Sequence, residues 1–96
     1  MSLVTLAEAQ DHLREWDDEK AAEIALKSDM ATDIVLDYIE RAGPADGEPW
    51  TDATAPFLIK AAVLLVLRVL YDDDGAEPLS GGVRGILHRY RNPAVA

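Results

Sequence analysis

An all-α fold, a small bundle of about four helices, is what this sequence predicts, and three observations carry that expectation. The stretch Pro56 to Tyr71 reads P-F-L-I-K-A-A-V-L-L-V-L-R-V-L-Y, with an uninterrupted apolar run from Ala61 to Leu67 between Lys60 and Arg68. That run is too short for a bilayer, which needs about 20 apolar residues, so it reads as a core helix. Upstream, Thr5 followed by Glu8 is a capping box, a signal specific to a helix start. Further on, Gly43-Pro44 closes a long amphipathic stretch, the pairing that ends helices.

Taken in order, the first helix is expected over about residues 5–16. Val4 and Ala9 are placed to close a hydrophobic staple across the capping box, and Leu6, Ala9, Leu13 and Trp16 recur at three and four residues as one apolar stripe. Asp17-Asp18 breaks that stripe, and either aspartate can cap a second helix over about 19–42. Its core face is expected to hold Ile24, Ala31, Val35, Tyr38 and Ile39, with Ala21, Ser28 and Ala42 as small neighbours that permit close approach. From Gly43 to Thr54 the chain is rich in turn formers and reads as a loop. Trp50 within it is either a plug over the core edge or an interface anchor, because tryptophan is enriched at binding hot spots.

The central helix is expected over about 55–71, with Pro56 in the first turn and Thr54 or Ala55 as its cap. On a helical wheel Lys60 and Arg68 fall within roughly 80° of each other, with Leu64, Phe57 and Tyr71 in the same sector, so nearly the whole circumference is greasy. A chain of this size buries only about 60–65 % of its unfolded surface and struggles to wrap such a helix on all sides. Either the other helices enclose it fully or part of it faces another subunit. After the acidic turn Asp72-Asp73-Asp74-Gly75 and further breakers, a short last helix is expected over about 82–90, with Val83, Ile86, Leu87 and Tyr90 apolar. That length is marginal in isolation, so something must hold it. Residues 92–96 form a tail, and one domain covers residues 1–96.

Charge and composition narrow the function. The net charge is −9 with 18 acids and 9 Lys plus Arg, which argues against binding nucleic acid by phosphate neutralisation. Such a surface would let a duplex pass without sticking. The acid excess sits entirely in the front half, with 13 acids and 4 bases in residues 1–50 against 5 and 5 in residues 51–96. Asp29, Asp33, Asp37 and Glu40 share one side of the second helix, either a solvated face relieved by Glu23–Lys27 and Asp37–Arg41 pairs or a functional negative stripe. Arg84, His88 and Arg91 form the opposite stripe on the last helix, with Arg89 alongside. They complement the helix dipole or dock on an acidic patch of another chain.

Catalytic and metal constellations are not expected. There is no cysteine, hence no disulfide framework and no thiolate chemistry. Glu8 and His12 stand four apart, but two ligands do not make a metal site. Setting Gly75 at the sixth position of a calcium loop puts Leu70 first and Gly81 twelfth, and the match fails. Ser2, Ser28 and Ser80 lack a nucleophile-elbow context, and Gly81-Gly82 lacks the lysine of a phosphate loop. No pair of carboxylates is singled out for acid–base work. The opening M-S-L-V-T-L-A-E has no basic lead and reaches acid early, so no signal peptide, no membrane role and a cytoplasm-like compartment are expected.

Four segments together resemble the phage head-tail connector family, the small adaptor proteins of long-tailed phages and prophages. They are L-V-T-L-A-E-A-Q-D-H-L-R near the start, D-Y-I-E at the end of the second helix, the proline-led helix running on into D-D, and P-L-S-G-G-V-R-G-I-L-H-R-Y-R near the end. The most specific pieces are Pro56 to Tyr71 and the G-V-R-x-I-L-x-x-Y-R of Gly82 to Arg91. The resemblance spans nearly the whole chain in the right order. It implies a helical, non-enzymatic subunit of a ring, commonly a dodecamer, made in a bacterial host's cytoplasm. In the virion that ring sits under the portal at the head-tail junction, meets a stopper or tail protein, and surrounds the channel through which genomic DNA leaves. No cofactor is implied. On this footing Lys60, Leu64, Arg68 and Trp50 are expected at the subunit interface. Arg84, His88, Arg89 and Arg91 are expected at the portal, and the Asp29, Asp33, Asp37 and Glu40 stripe facing the channel. The competing expectation is a small acidic cytoplasmic interaction or regulatory module using the same amphipathic helices on one partner.

Overall fold

Four helices follow one another along the chain: α1 (Leu6–Leu13), α2 (Asp18–Tyr38), α3 (Phe57–Asp72) and α4 (Gly81–Leu87), the last running into a 3-10 turn over His88–Tyr90. The structure, a computed structural model, describes residues 2–39, 50–72 and 75–90, apart from the side chain of residue 89. Among these residues the fold is all-α, with no strand. The α3 helix is the shared partner, packing most extensively on α2 and also touching α1 and α4.

Each helix starts where its sequence offers an oxygen to an orphan N–H group. The Thr5 hydroxyl accepts from the Glu8 backbone at 3.1 Å while Glu8 Oε1 accepts from the Thr5 backbone at 2.8 Å, completing the capping box. The Asp17 carboxylate accepts from Glu19 at 3.0 Å, and the Ser80 hydroxyl accepts from Val83 at 3.3 Å. Thr54 does not cap α3. Its hydroxyl instead accepts from the Thr51 backbone at 2.9 Å, closing the preceding turn. Pro56, expected inside the first turn, stands one residue before α3, and its carbonyl accepts from Lys60 at 3.1 Å.

Two helices end earlier than their patterns suggest. Arg14 adopts a left-handed conformation (φ 56°, ψ 43°) that closes α1 at Leu13, three residues before the expected Trp16. Trp16 therefore leaves the stripe. It is 59 % exposed, and Leu6 is exposed as well, so the buried side of this segment is Leu3, Val4, Ala9 and Leu13. The regular part of α2 ends at Tyr38, with Ile39 as its cap. The expected stop at Gly43-Pro44, with Ala42 and Arg41, lies outside the described residues, as do Asp73, Asp74 and the tail.

The core forms where the apolar faces meet. Ile24, Ala31, Val35 and Ile39 of α2 are fully buried against Ile59, Ala62, Val63, Val66 and Leu67 of α3, with Tyr38 at its margin. Burying each large aliphatic side chain stabilises the fold by about 1.5–3 kcal/mol. Val83 and Leu87 fix the short α4 to the same cluster, and Leu3 enters from the other end. Polar ties reinforce this packing. The Leu3 backbone donates to the Thr32 hydroxyl at 3.0 Å, and Lys27 Nζ, paired with Glu23 at 3.7 Å, donates to the Leu70 carbonyl at 2.9 Å. The second of these satisfies a carbonyl in the last turn of α3, where four lack helical partners. The Ser28 hydroxyl is buried between the helices without a hydrogen-bond partner.

Candidate functional site

With α2 on one side and α1 and α4 on others, α3 still keeps part of its circumference in the open. Phe57 is 90 % exposed, Leu65 42 % and Leu58 38 %, while Ala61, Leu64, Val69 and Leu70 are half-buried. Phe57, Ala61 and Leu65 repeat every four residues, so they lie on one stripe of the helix. This apolar stripe continues into a groove between α3 and α4 of about 320 Å³, lined by Leu65, Arg68, Val69, Pro78, Val83 and Ile86 together with Ser80 and Gly82. Arg68 supplies the ionic group in that lining.

The two cations of α3 differ in what they do. Lys60 Nζ meets Glu8 Oε2 at 2.8 Å and the Asp52 carbonyl at 3.1 Å, tying α1 and the preceding turn to α3 within one chain. The Lys60 ammonium, together with the Thr5 N–H, holds the Glu8 carboxyl below its usual range. Arg68, by contrast, has its Nε 3.6 Å from Asp72 one turn along the same helix, and both side chains are about half exposed. Such a pair contributes little and is easily exchanged. Nearby, His12 is pushed below the ordinary histidine range, first by burial and then by the positive charge of Arg68.

The remaining expected site residues fall as follows. Trp50 is half-buried and packs against the core, the plug arrangement, and Leu64 also packs against the core at its edge. Asp33 and Asp37 are exposed on α2 and Asp29 is half-buried, whereas Glu40 lies outside the described residues. Arg84 is paired with Glu77 at 4.0 Å and half exposed, and His88 is exposed. Arg91 and the side chain of Arg89 lie outside the description. Among the described residues no three His, Cys, Asp or Glu side chains group as a metal site would require, and no helix is long and apolar enough to cross a membrane.

Two features escape a reading of the sequence. Trp16 is presented at the surface with its indole N–H donating to Asp11 Oδ1 at 2.8 Å. The Glu15-Trp16-Asp17-Asp18 cluster was its only signal, and helical spacing concealed it. Lys60 finds its acid 52 residues away on its own chain, a pairing without any local trace. Among the described residues the groove is an apolar surface with Arg68 in its lining. Set beside known proteins, the chain matches no family model, no curated protein and no solved structure.

Proposed function

We propose that this chain is the structural subunit of a phage head-tail connector ring, bound to the portal vertex and linking the DNA-filled head to the tail. The observation that carries the reading is the uncovered face of α3. Phe57, Leu58 and Leu65 remain 90, 38 and 42 % exposed after every described element has packed. Exposed apolar area continuous with a groove is the mark of a protein interface, and a ring supplies the missing cover through head-to-tail contacts that close by rotation. The order of the family-like segments in the sequence supports the same reading.

In this ring, Arg68 and Leu64 contribute to the contact between neighbours, while Lys60 secures α1 and supports the interface from within. Trp50 covers the core edge beside it. The acids of α2, with Glu40 beyond them, face the channel and repel the passing genome, so DNA slides rather than binds. The arginines and His88 of the last segment, Arg84, Arg89 and Arg91, meet the portal. A stopper or tail protein takes the other side.

Negative-stain images of the protein mixed with purified tail-less capsids test the proposal. Added ring density at the portal vertex is expected. Vertices unchanged by saturating protein overturn it, and a stable complex with one cytoplasmic partner in their place identifies a regulatory module instead.

A further inference from the structure

We infer that the groove between α3 and α4 receives Trp16 of a second copy of this chain. The inference rests on the reading that copies assemble, and it names the contact that joins them. Three observations carry it. The groove is apolar through Leu65, Val69, Pro78, Val83 and Ile86, and its volume of about 320 Å³ accommodates one large aromatic side chain. Trp16 is 59 % exposed on the bend that Arg14 makes after α1, and its indole is already held by the 2.8 Å bond to Asp11. A side chain ordered before contact loses less freedom on binding. Finally, the charges match. Arg68 lines the groove, and its exposed pairing with Asp72 at 3.6 Å exchanges readily. Glu15, Asp17 and Asp18 flank Trp16.

Charge also selects Trp16 over the other exposed aromatic. Phe57 at 90 % exposure is the larger apolar liability, but the nearest ionic group along its helix, Lys60, is already paired with Glu8 at 2.8 Å, so Phe57 brings no acid to Arg68. Trp16 brings acids. A tryptophan seated in a pocket with an arginine at its edge has the composition of an interface hot spot, and the guanidinium also favours the indole face. Knob and groove are different patches of the surface, so the contact is heterologous and repeats from copy to copy. In this arrangement Arg84, which does not line the groove, remains available to the portal.

The chain has no cysteine, which permits a clean trap. Asp18→Cys places a thiol beside Trp16. Gly82→Cys places one in the groove, where an added Cβ meets only the Ser80 hydroxyl oxygen at 3.9 Å. Full-length Asp18→Cys protein is mixed with full-length Gly82→Cys protein under mild oxidation, with an Asp18→Cys plus Ala53→Cys mixture as control. The groove pair is expected to cross-link about tenfold faster than the control. Adding Trp16→Ala to the first partner is expected to return the rate to the control value, and Arg68→Glu in the second to lower it several-fold. Equal rates for groove and control pairs, or a rate indifferent to Trp16→Ala, overturn the contact. If the trap fails while wild-type protein still adds a ring to capsids, the contact is wrong and the ring stands. If both fail, both readings fall.

Discussion

The two faces of α3 have nearly the same chemistry and opposite fates. Toward α2 lie Ile59, Val63, Val66 and Leu67, all fully buried; on the other side Phe57, Leu58 and Leu65 face solvent. Hydropathy does not separate them, because both are aliphatic or aromatic. What separates them is supply: α1 and α4 are eight and seven residues long and cannot cover what α2 leaves. The inner face is therefore about stability, the outer face is the one proposed for association, and substitutions on each should report on different measurements.

The sharpest division comes from Leu67→Ala, which removes fully buried volume and is expected to destabilise the fold by about 2–5 kcal/mol in denaturant unfolding. A loss below about 1 kcal/mol would mean that the inner face is not the core. Next in size, Thr5→Ala deletes one half of the capping box and is expected to cost about 1 kcal/mol in the same assay. Arg14→Gly works in the opposite direction. It relieves a left-handed conformation in a side-chain-bearing residue and is expected to raise stability by about 0.5–1 kcal/mol, read as a higher Tm.

Acidity sharpens the comparison at the α1 edge. Both shifted groups there, Glu8 and His12, have folded values below their ordinary 4.5 and 6.5. In each case the unfolded chain binds protons more readily, so stability falls as pH falls. For His12 the loss begins as pH drops through about 6.5 and is complete below its folded value; for Glu8 it begins near 4.5. Urea titrations between pH 7 and pH 5 are expected to show a decline that His12→Asn flattens. The smallest effect on folding belongs to Leu65→Ser on the outer face, within about 0.5 kcal/mol of wild type. Its consequence is expected in assembly, as fewer ring-bearing capsids.

Local chemistry makes most of the fold readable in the sequence. A threonine and an aspartate with helical followers have one economical use, and periodic apolar residues at 24, 31, 35 and 39 specify one face of α2. The failures are equally physical. Trp16 continues the three-and-four spacing of Leu6, Ala9 and Leu13, but spacing cannot report that Arg14 will turn left-handed. Nothing local marks Glu8 as the partner of Lys60, 52 residues away. The groove was invisible for the same reason. It exists only because the α3–α4 turn brings Pro78 and Val83 over Leu65 and Val69, and turn geometry at Gly75 (φ 84°) is not encoded by periodicity.

The leading end of α1 is fastened from three directions, by Leu3 beneath Thr32, by the reciprocal bonds of Thr5 and Glu8, and by Lys60. Its trailing end has Leu13 and a strained bend. Local openings therefore unzip this helix from the Arg14 side, and amide hydrogen exchange is expected to be faster at Leu13 than at Ala9, whose N–H donates to the Thr5 carbonyl at 3.0 Å. The bend that carries the exposed Trp16 is thus the less fastened end of the helix, and the indole bond to Asp11 at 2.8 Å is its local tie.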